Sequence, residues 1–425
     1  MNILLKSVEV IAPETPWLRQ KKDIWLKDGK IKDIADTLTI EEALVVTRPH
    51  LKVSIGWLDM RVSWPDPGFE YKETLQSGRE AARRGGFTEV VTLPNTAPVI
   101  DSKDTLAYLQ RANATSLVQC HPMAAVTLGT KGKELTEMID LHQAGAVAFS
   151  DGYHPIWHSD IMVKSLQYLQ MFDGLLINRP EDQLLTQFGV MNEGTTATQL
   201  GLKGIPSLAE EMMIRRDISF LRYTGGKLHL SCLSSAASVA LVRAAQQEGL
   251  QVTCDVAAHQ LAFDDRMLLD FDTHYKVNPP FRTPEDIEAL WKGLQDNTIG
   301  AVVSDHTPQD QESKQVAFDQ AAFGIIGLET TFSTLVTYNQ GLSIAQMIEK
   351  LATQPRQYLQ LPIPQIAKGE TANLTLFDDH TDYTYTREAI ISKSKNSPFI
   401  GKVLKGKVWG VFNNEQYWLD EALYA

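Results

Sequence analysis

At 425 residues the chain exceeds one ordinary small domain but fits a large barrel with an accessory domain. Its composition, 43% hydrophobic and 22% charged without low-complexity runs, excludes a disordered protein. A net charge of −12, the scatter of Lys and Arg, and the lack of any apolar stretch of roughly 18 residues exclude a nucleic-acid partner and a membrane-spanning segment.

The opening MNILLKSVEVIAPETP has one Lys and a short apolar run, then Pro and acid. That is not a signal-peptide pattern, so a cytoplasmic location is expected. Up to residue 52 the sequence alternates with period two (NILLKSVEVIA, DIWLKDGKIKDIA), and the alternation returns after residue 363 (GETANLTLFD, GKVLKGKVWGVFN). Each terminal segment alone would expose an apolar face. Segments 1–52 and 363–425 are therefore expected to pair into a small β-sandwich flanking a central unit, 53–362.

Within that unit, short apolar runs alternate with helical patterns. The expected strands are Val53–Met60, Thr88–Leu93, Val118–Val126, Ala146–Phe149, Leu175–Asn178, Lys227–Leu233, Gln251–Val256 and Thr298–Ser304. The expected helices are Tyr71–Arg84, Ser102–Ala112, Glu134–Ala144, Ile161–Phe172, Ser207–Arg222, Ala236–Glu248 and Glu285–Gln295. Strands that read as nearly continuous apolar runs are buried on both faces, the signature of an α/β fold of the (β/α)8 TIM-barrel type. A doubly wound sheet would carry a glycine-rich phosphate fingerprint after its first strand, and none is present.

In such a barrel the reactive groups stand at the C-terminal ends of the strands. Those ends read Asp59-Met-Arg61-Val-Ser63, Leu93-Pro-Asn95, His121, Ser150-Asp151-Gly152, Asn178-Arg179-Pro-Glu181, His229-Leu-Ser-Cys232, His259-Gln260 and Ser304-Asp305-His306. A polar rim on an apolar barrel marks a pocket, although polar residues also simply end strands. The cysteines, Cys120, Cys232 and Cys254, are spaced for neither a disulfide framework nor a zinc motif.

The run GWLDMRVSWPDPGFEYKETLQSGREAARRGGFTEVVTLPNTAPVID resembles the opening of a dihydroorotase barrel, with its DMHVHLREPG and MPNTxP motifs. FGVMNEG, GLKGIPSLAEEMMIRRDI, KVNPPFR, SDHTP, FGIIGLET and SKSKNSPFIGKVLKGKV continue the likeness nearly end to end. The resemblance implies the amidohydrolase superfamily and, in active relatives, zinc held by a His-x-His, a bridging carboxylate, two further His and an Asp. Aligned on the flanking motifs, those positions hold Arg61, Ser63, Asp151, Arg179, Cys232 and Asp305. The substrate-clamping Arg falls on Pro65 and a second strand-eight His on Gln309. Asn95, Asn278, His259 and His306 match substrate-side positions, and Asp305 the position of the catalytic base.

Only two of the six ligand positions keep a carboxylate. Cys232 could join Asp151 and Asp305, with His154, His158, His259 or His306 nearby, but arginines stay protonated and repel a second cation. No catalytic zinc or other cofactor is therefore expected. Without zinc, Asp151 and Asp305 become buried acids in need of partners, and Arg61 and Arg179 are expected to serve as their counter-ions; drift in a disused site is the plain alternative. Cys232 reads as a small buried thiol, His259 and His306 as structural residues, and Trp64 and Trp157 as fillers of vacated space.

Three functions stay open at this point. The leading one is a non-catalytic dihydroorotase homologue, retained as an oligomeric structural subunit that supports aspartate carbamoyltransferase, a role the resemblance implies. The second is an amidohydrolase with one metal, or with none and Asp305 as base. The third is a sensor that binds a pyrimidine intermediate through Asn95 and Asn278.

Overall fold

The computed structural model describes residues 1–13, 15–113 and 116–423. Tyr424 and Ala425, the end of the expected C-terminal segment, lie outside the described residues. Strands β1 (Asn2–Val10), β2 (Lys21–Lys27), β3 (Lys30–Ala35), β4 (Leu44–Val46) and β5 (Lys52–Ile55) come first in the chain. The barrel follows as β6 (Trp57–Val62), β7 (Phe87–Thr92), β8 (Gln119–Ala124), β9 (Ala148–Phe149) and β10 (Leu175–Asn178). After a two-stranded ribbon, β11 (Met191–Asn192) and β12 (Gly204–Ile205), it continues with β13 (Lys227–Leu230), β14 (Val252–Ala257) and β15 (Ala301–Val303). β16 (Asn373–Thr384), β17 (Val403–Asn413) and β18 (Gln416–Leu419) end the chain.

The eight barrel strands pair in parallel in the order β6-β7-β8-β9-β10-β13-β14-β15. The seam between first and last strand is closed by a parallel bridge from Val62 to His306 and by Ser63 N donating to His306 O at 2.9 Å. Adjacent residues on one strand serve opposite faces, which is why the strands read as unbroken apolar runs. Val91, Ile177 and Val303 fill the barrel, while their neighbours Val90, Leu176 and Val302 pack outward under the helices. The expected fold class is thus the observed one.

Helices cover the outside. Leu75–Arg84 starts on Thr74, whose hydroxyl accepts from Ser77 N at 3.1 Å, and buries Leu75, Gly78, Ala81 and Ala82. Pro284–Gln295 starts on Thr283 with Pro at its first position, and Ser235 caps Ala236–Gln247.

The termini join in a second eight-stranded sheet, linked where β16 pairs antiparallel with β5. β3 is also tied to the chain entering β16, with Ile31 N on Glu370 O at 2.9 Å and Gly369 N on Ile31 O at 2.8 Å. The sheet thereby folds over on itself and encloses its apolar inner face. One expected strand divides: Val53–Met60 is two strands, because β5 belongs to this terminal sheet and only β6 to the barrel. Among the described residues no helix is long and apolar enough to cross a membrane.

Candidate functional site

The C-terminal ends of the barrel strands surround a cavity of about 240 Å³, lined by Arg61, Tyr153, Arg179, Asn278, Asp305 and Gln309 among others. A second cavity, of about 340 Å³, runs past Ser63, Pro65, Asn95 and His154. Tyr153 and Gln309 border both, so these two side chains partition the mouth of the barrel.

Arg61 ends β6 and is 2% exposed. Its Nε donates to Asp305 Oδ1 at 2.8 Å, and Nη1 lies 3.5 Å from Ser231 Oγ. The expected pairing of Arg61 with a retained acid is thus present. Asp305 follows β15 with φ of 45°, a left-handed conformation that non-glycine residues seldom adopt. Cys232, beyond β13, has φ of 59° and donates its N–H to Asp255 Oδ1 at 2.6 Å. Burial pushes its thiol well above the usual range. All three cysteines are buried.

The second expected counter-ion pair is absent, which corrects the sequence reading. Arg179 turns to Glu181, two residues on, and Nη1 donates to Asn278 O at 3.3 Å. Burial raises the Glu181 carboxyl, but Arg179 and the hydrogen bonds of Thr186 and Asn278 outweigh it and hold it low. The Arg-Pro-Glu spacing was the available signal for this pair. Among the described residues, no cation lies within ion-pair distance of Asp151. It accepts from Thr127 N at 2.9 Å and Thr127 Oγ1 at 2.5 Å, and burial pushes its carboxyl up to about 6. Thr127 belongs to the turn after β8, and nothing in the sequence marked it as a partner.

The remaining expected residues divide by depth. Asn278 lines the first cavity and donates Nδ2 to Glu181 Oε2 at 3.2 Å. Asn95 lines the second, but its amide is committed to the backbone, with Nδ2 on Asp151 O at 3.1 Å and Oδ1 accepting Tyr153 N at 3.0 Å. His259 and His306 are 3% and 1% exposed and line neither cavity. Burial pushes His259 down to about 4, keeping it neutral beside the edge-on Phe281 ring. His306 Nδ1 accepts Gly327 N at 3.3 Å, and Nε2 faces Glu73 at 3.5 Å. Nor do the tryptophans fill the pocket. Trp64 packs against Gly78 of the covering helix, and Trp157 is 47% exposed.

Tyr153 is the residue that sequence reasoning missed. Its phenol meets Ser63 and Thr307, with Asp305 and Arg61 close by, and burial raises its pKa. Among the described residues, no three His, Cys, Asp or Glu side chains gather as a metal site.

A family model described as Dihydro-orotase-like matches residues 51–238. The chain is 42% identical over 393 residues to a dihydroorotase of Caldanaerobacter subterraneus, covering 92% of this chain and 91% of the relative. It is 38% identical over 412 residues to a dihydroorotase of Pelotomaculum thermopropionicum, covering 96% of each. An L-hydantoinase from Arthrobacter aurescens superposes with a TM-score of 0.85 at 21% identity over 99% of this chain and 96% of its own, a likeness of fold.

Proposed function

Because the chain belongs to the dihydroorotase family of amidohydrolase-fold proteins, we propose that it is a zinc-free member of that family, a non-catalytic subunit of pyrimidine biosynthesis that supports aspartate carbamoyltransferase. One observation carries this reading: the Arg61 guanidinium, buried and 2.8 Å from Asp305, stands at the end of β6 where the family's first histidines hold zinc.

The donor set does not fit zinc, which takes His, Cys or carboxylate ligands in tetrahedral array. Arg61 holds Asp305 as its counter-ion, and Asp151 already accepts two hydrogen bonds from Thr127. A guanidinium in the cluster also repels a divalent cation. Without a metal to lower the pKa of water, the site supplies no hydroxide for opening or closing a dihydropyrimidine ring. His259, neutral and with no hydrogen-bond partner among the described residues, offers no replacement base in contact with the cavity. A retained fold with a disabled mouth suits assembly, and the proposal includes a cytoplasmic homo-oligomer that binds the carbamoyltransferase.

The surviving cavity favours one second reading, a sensor that binds a pyrimidine intermediate against Asn278 and Arg179 without turning it over.

The test combines metal analysis of the purified chain, a ring-opening assay on dihydroorotate, and co-purification with the carbamoyltransferase. Substoichiometric zinc, no turnover and a stable complex are expected. A tightly bound equivalent of zinc with turnover abolished by Asp305→Asn would overturn the proposal. Calorimetric titration with dihydroorotate and carbamoyl aspartate decides the sensor reading, which fails if neither gives heat.

A further inference from the structure

Beside the barrel mouth lies a third cavity, of about 220 Å³, that shares Gln309 with the first two. Four cations line it: Lys314, Arg387, Lys393 and Lys395. Its one lining carboxylate, Asp310, is already engaged, accepting Ser313 N at 2.9 Å and Ser313 Oγ at 2.6 Å. Among the described residues, none of the four cations pairs with a carboxylate within 4.0 Å.

The three ammonium groups rest on backbone carbonyls. Lys314 Nζ donates to Ala322 O at 2.8 Å and Lys276 O at 3.4 Å. Lys393 Nζ donates to Glu70 O at 2.6 Å, and Lys395 Nζ to Ile390 O at 2.6 Å and Ser392 O at 2.7 Å. A carbonyl satisfies an N–H but carries no formal charge, so it does not neutralise the ammonium it binds. An ammonium has three N–H donors, which leaves Lys393 with two to spare and Lys395 with one. Arg387 is exposed and adds a planar fork of donors suited to an oxyanion. Lys314 is 3% exposed; burial and the neighbouring Lys276 ammonium push it down to about 7. Glu70 lies near Lys393, and Glu329 and Glu73 near Lys395, without reaching ion-pair distance, so the cations around this cavity are only partly offset and favour an anion within it.

We propose that this cavity is a binding site for a small oxyanion carrying two negative charges, of the phosphate or dicarboxylate class, with Lys314 on its buried side and Arg387 and Lys393 at its entrance. Nothing in the dihydroorotase reading requires such a site, and it stands whether or not that reading does.

Calorimetric titration of the full chain at low ionic strength, with inorganic phosphate and separately with malonate, tests the proposal. Saturable heat from at least one is expected, and which anion gives it identifies the class. The double variant Arg387→Gln/Lys393→Gln, at two exposed positions, weakens binding by about tenfold or more, while Lys103→Gln, on a distant helix, leaves it unchanged. A second readout uses Lys314. A dianion beside it raises its affinity for a proton, so binding near neutral pH draws a proton from the buffer. The heat then differs between buffers of unlike ionisation enthalpy, and Lys314→Gln removes most of that difference. The groups around Lys314 are Lys276, held down to about 8, and Asp272, held low by its bonds to His274. The absence of saturable heat from both anions, or heat unaltered in the double variant, overturns the proposal. The lysines would then serve only to brace their loops.

Discussion

Arg61 Nε lies 2.8 Å from Asp305 Oδ1, so residues 244 positions apart in sequence, at the ends of the first and last barrel strands, meet in a buried ion pair. The side chains are 2% and 10% exposed, and both charges have lost most of their water. Removing one partner of such a pair costs about 3–5 kcal/mol, whereas replacing both by apolar groups is often neutral. Arg61→Met is expected to lower the unfolding free energy by that amount in urea titrations, and Arg61→Met/Asp305→Leu to recover most of the loss. A single variant within about 1 kcal/mol of the parent would show that the pair does not hold the barrel seam.

Metal removal gives a separate check. A structural or catalytic zinc that binds the folded state raises the melting temperature by mass action, and a chelator removes that contribution. Because Arg61 and Thr127 take up the two acids, dialysis against a chelator is expected to leave the Tm unchanged, and added zinc not to raise it. Scanning calorimetry on the same preparation reads both. A fall in Tm with chelator, restored by zinc, would contradict the donor set described here.

Most of the barrel was legible because its strands are buried on both faces and its helices begin on readable caps: Leu175–Asn178 lies where the apolar run placed it. The division between β5 and β6 was not legible. Gly56 joins them within one hydrophobic run, and pairing with the distant β16 and with β1 assigns Lys52–Ile55 to the terminal sheet. In the site, opposite charges in one pocket predicted the Arg61–Asp305 contact. Charge alone could not choose between Asp151 and Glu181 for Arg179, because that choice rests on loop geometry. A turn threonine satisfied Asp151 first, and the neighbouring Glu181 was within reach of Arg179.

Gly152 tests how far the loop after β9 is held by Asn95. Its φ is 67°, and a Cβ there would lie 1.7 Å from Asn95 Oδ1, the atom that accepts Tyr153 N. Gly152→Ala therefore combines backbone strain with displacement of that amide, and a loss of roughly 1–3 kcal/mol is expected. Hydrogen exchange should show faster exchange at Tyr153 N with the distant β16 unchanged. An unaltered Tyr153 amide would mean that Asn95 does not position the loop.

The pH dependence of stability should have two limbs set by different carboxyls. Burial pushes the Glu89 carboxyl up, but its bonds to His121 and Arg356 outweigh this and hold it at about 2, against an ordinary 4.5. A depressed carboxyl contributes stability that is present above pH 4.5 and is lost as the pH falls towards 2. Asp151 and Asp59 behave in the opposite sense, since burial raises them from 3.8 to about 6 and about 7. Their native forms keep a proton that the unfolded chain releases. Their contribution is complete below pH 3.8 and is lost as the pH rises through about 6 for Asp151 and about 7 for Asp59. At 1.36 kcal/mol per unit, the Asp151 shift corresponds to about 3 kcal/mol over its window. Urea titrations between pH 2 and 8 should therefore show Glu89→Gln flattening the acid limb alone and Asp151→Asn flattening the decline between about pH 4 and 6. If Asp151→Asn leaves that slope as it was, the carboxyl is ionised in the folded protein, and Thr127 alone suffices to stabilise a buried anion beside the barrel mouth.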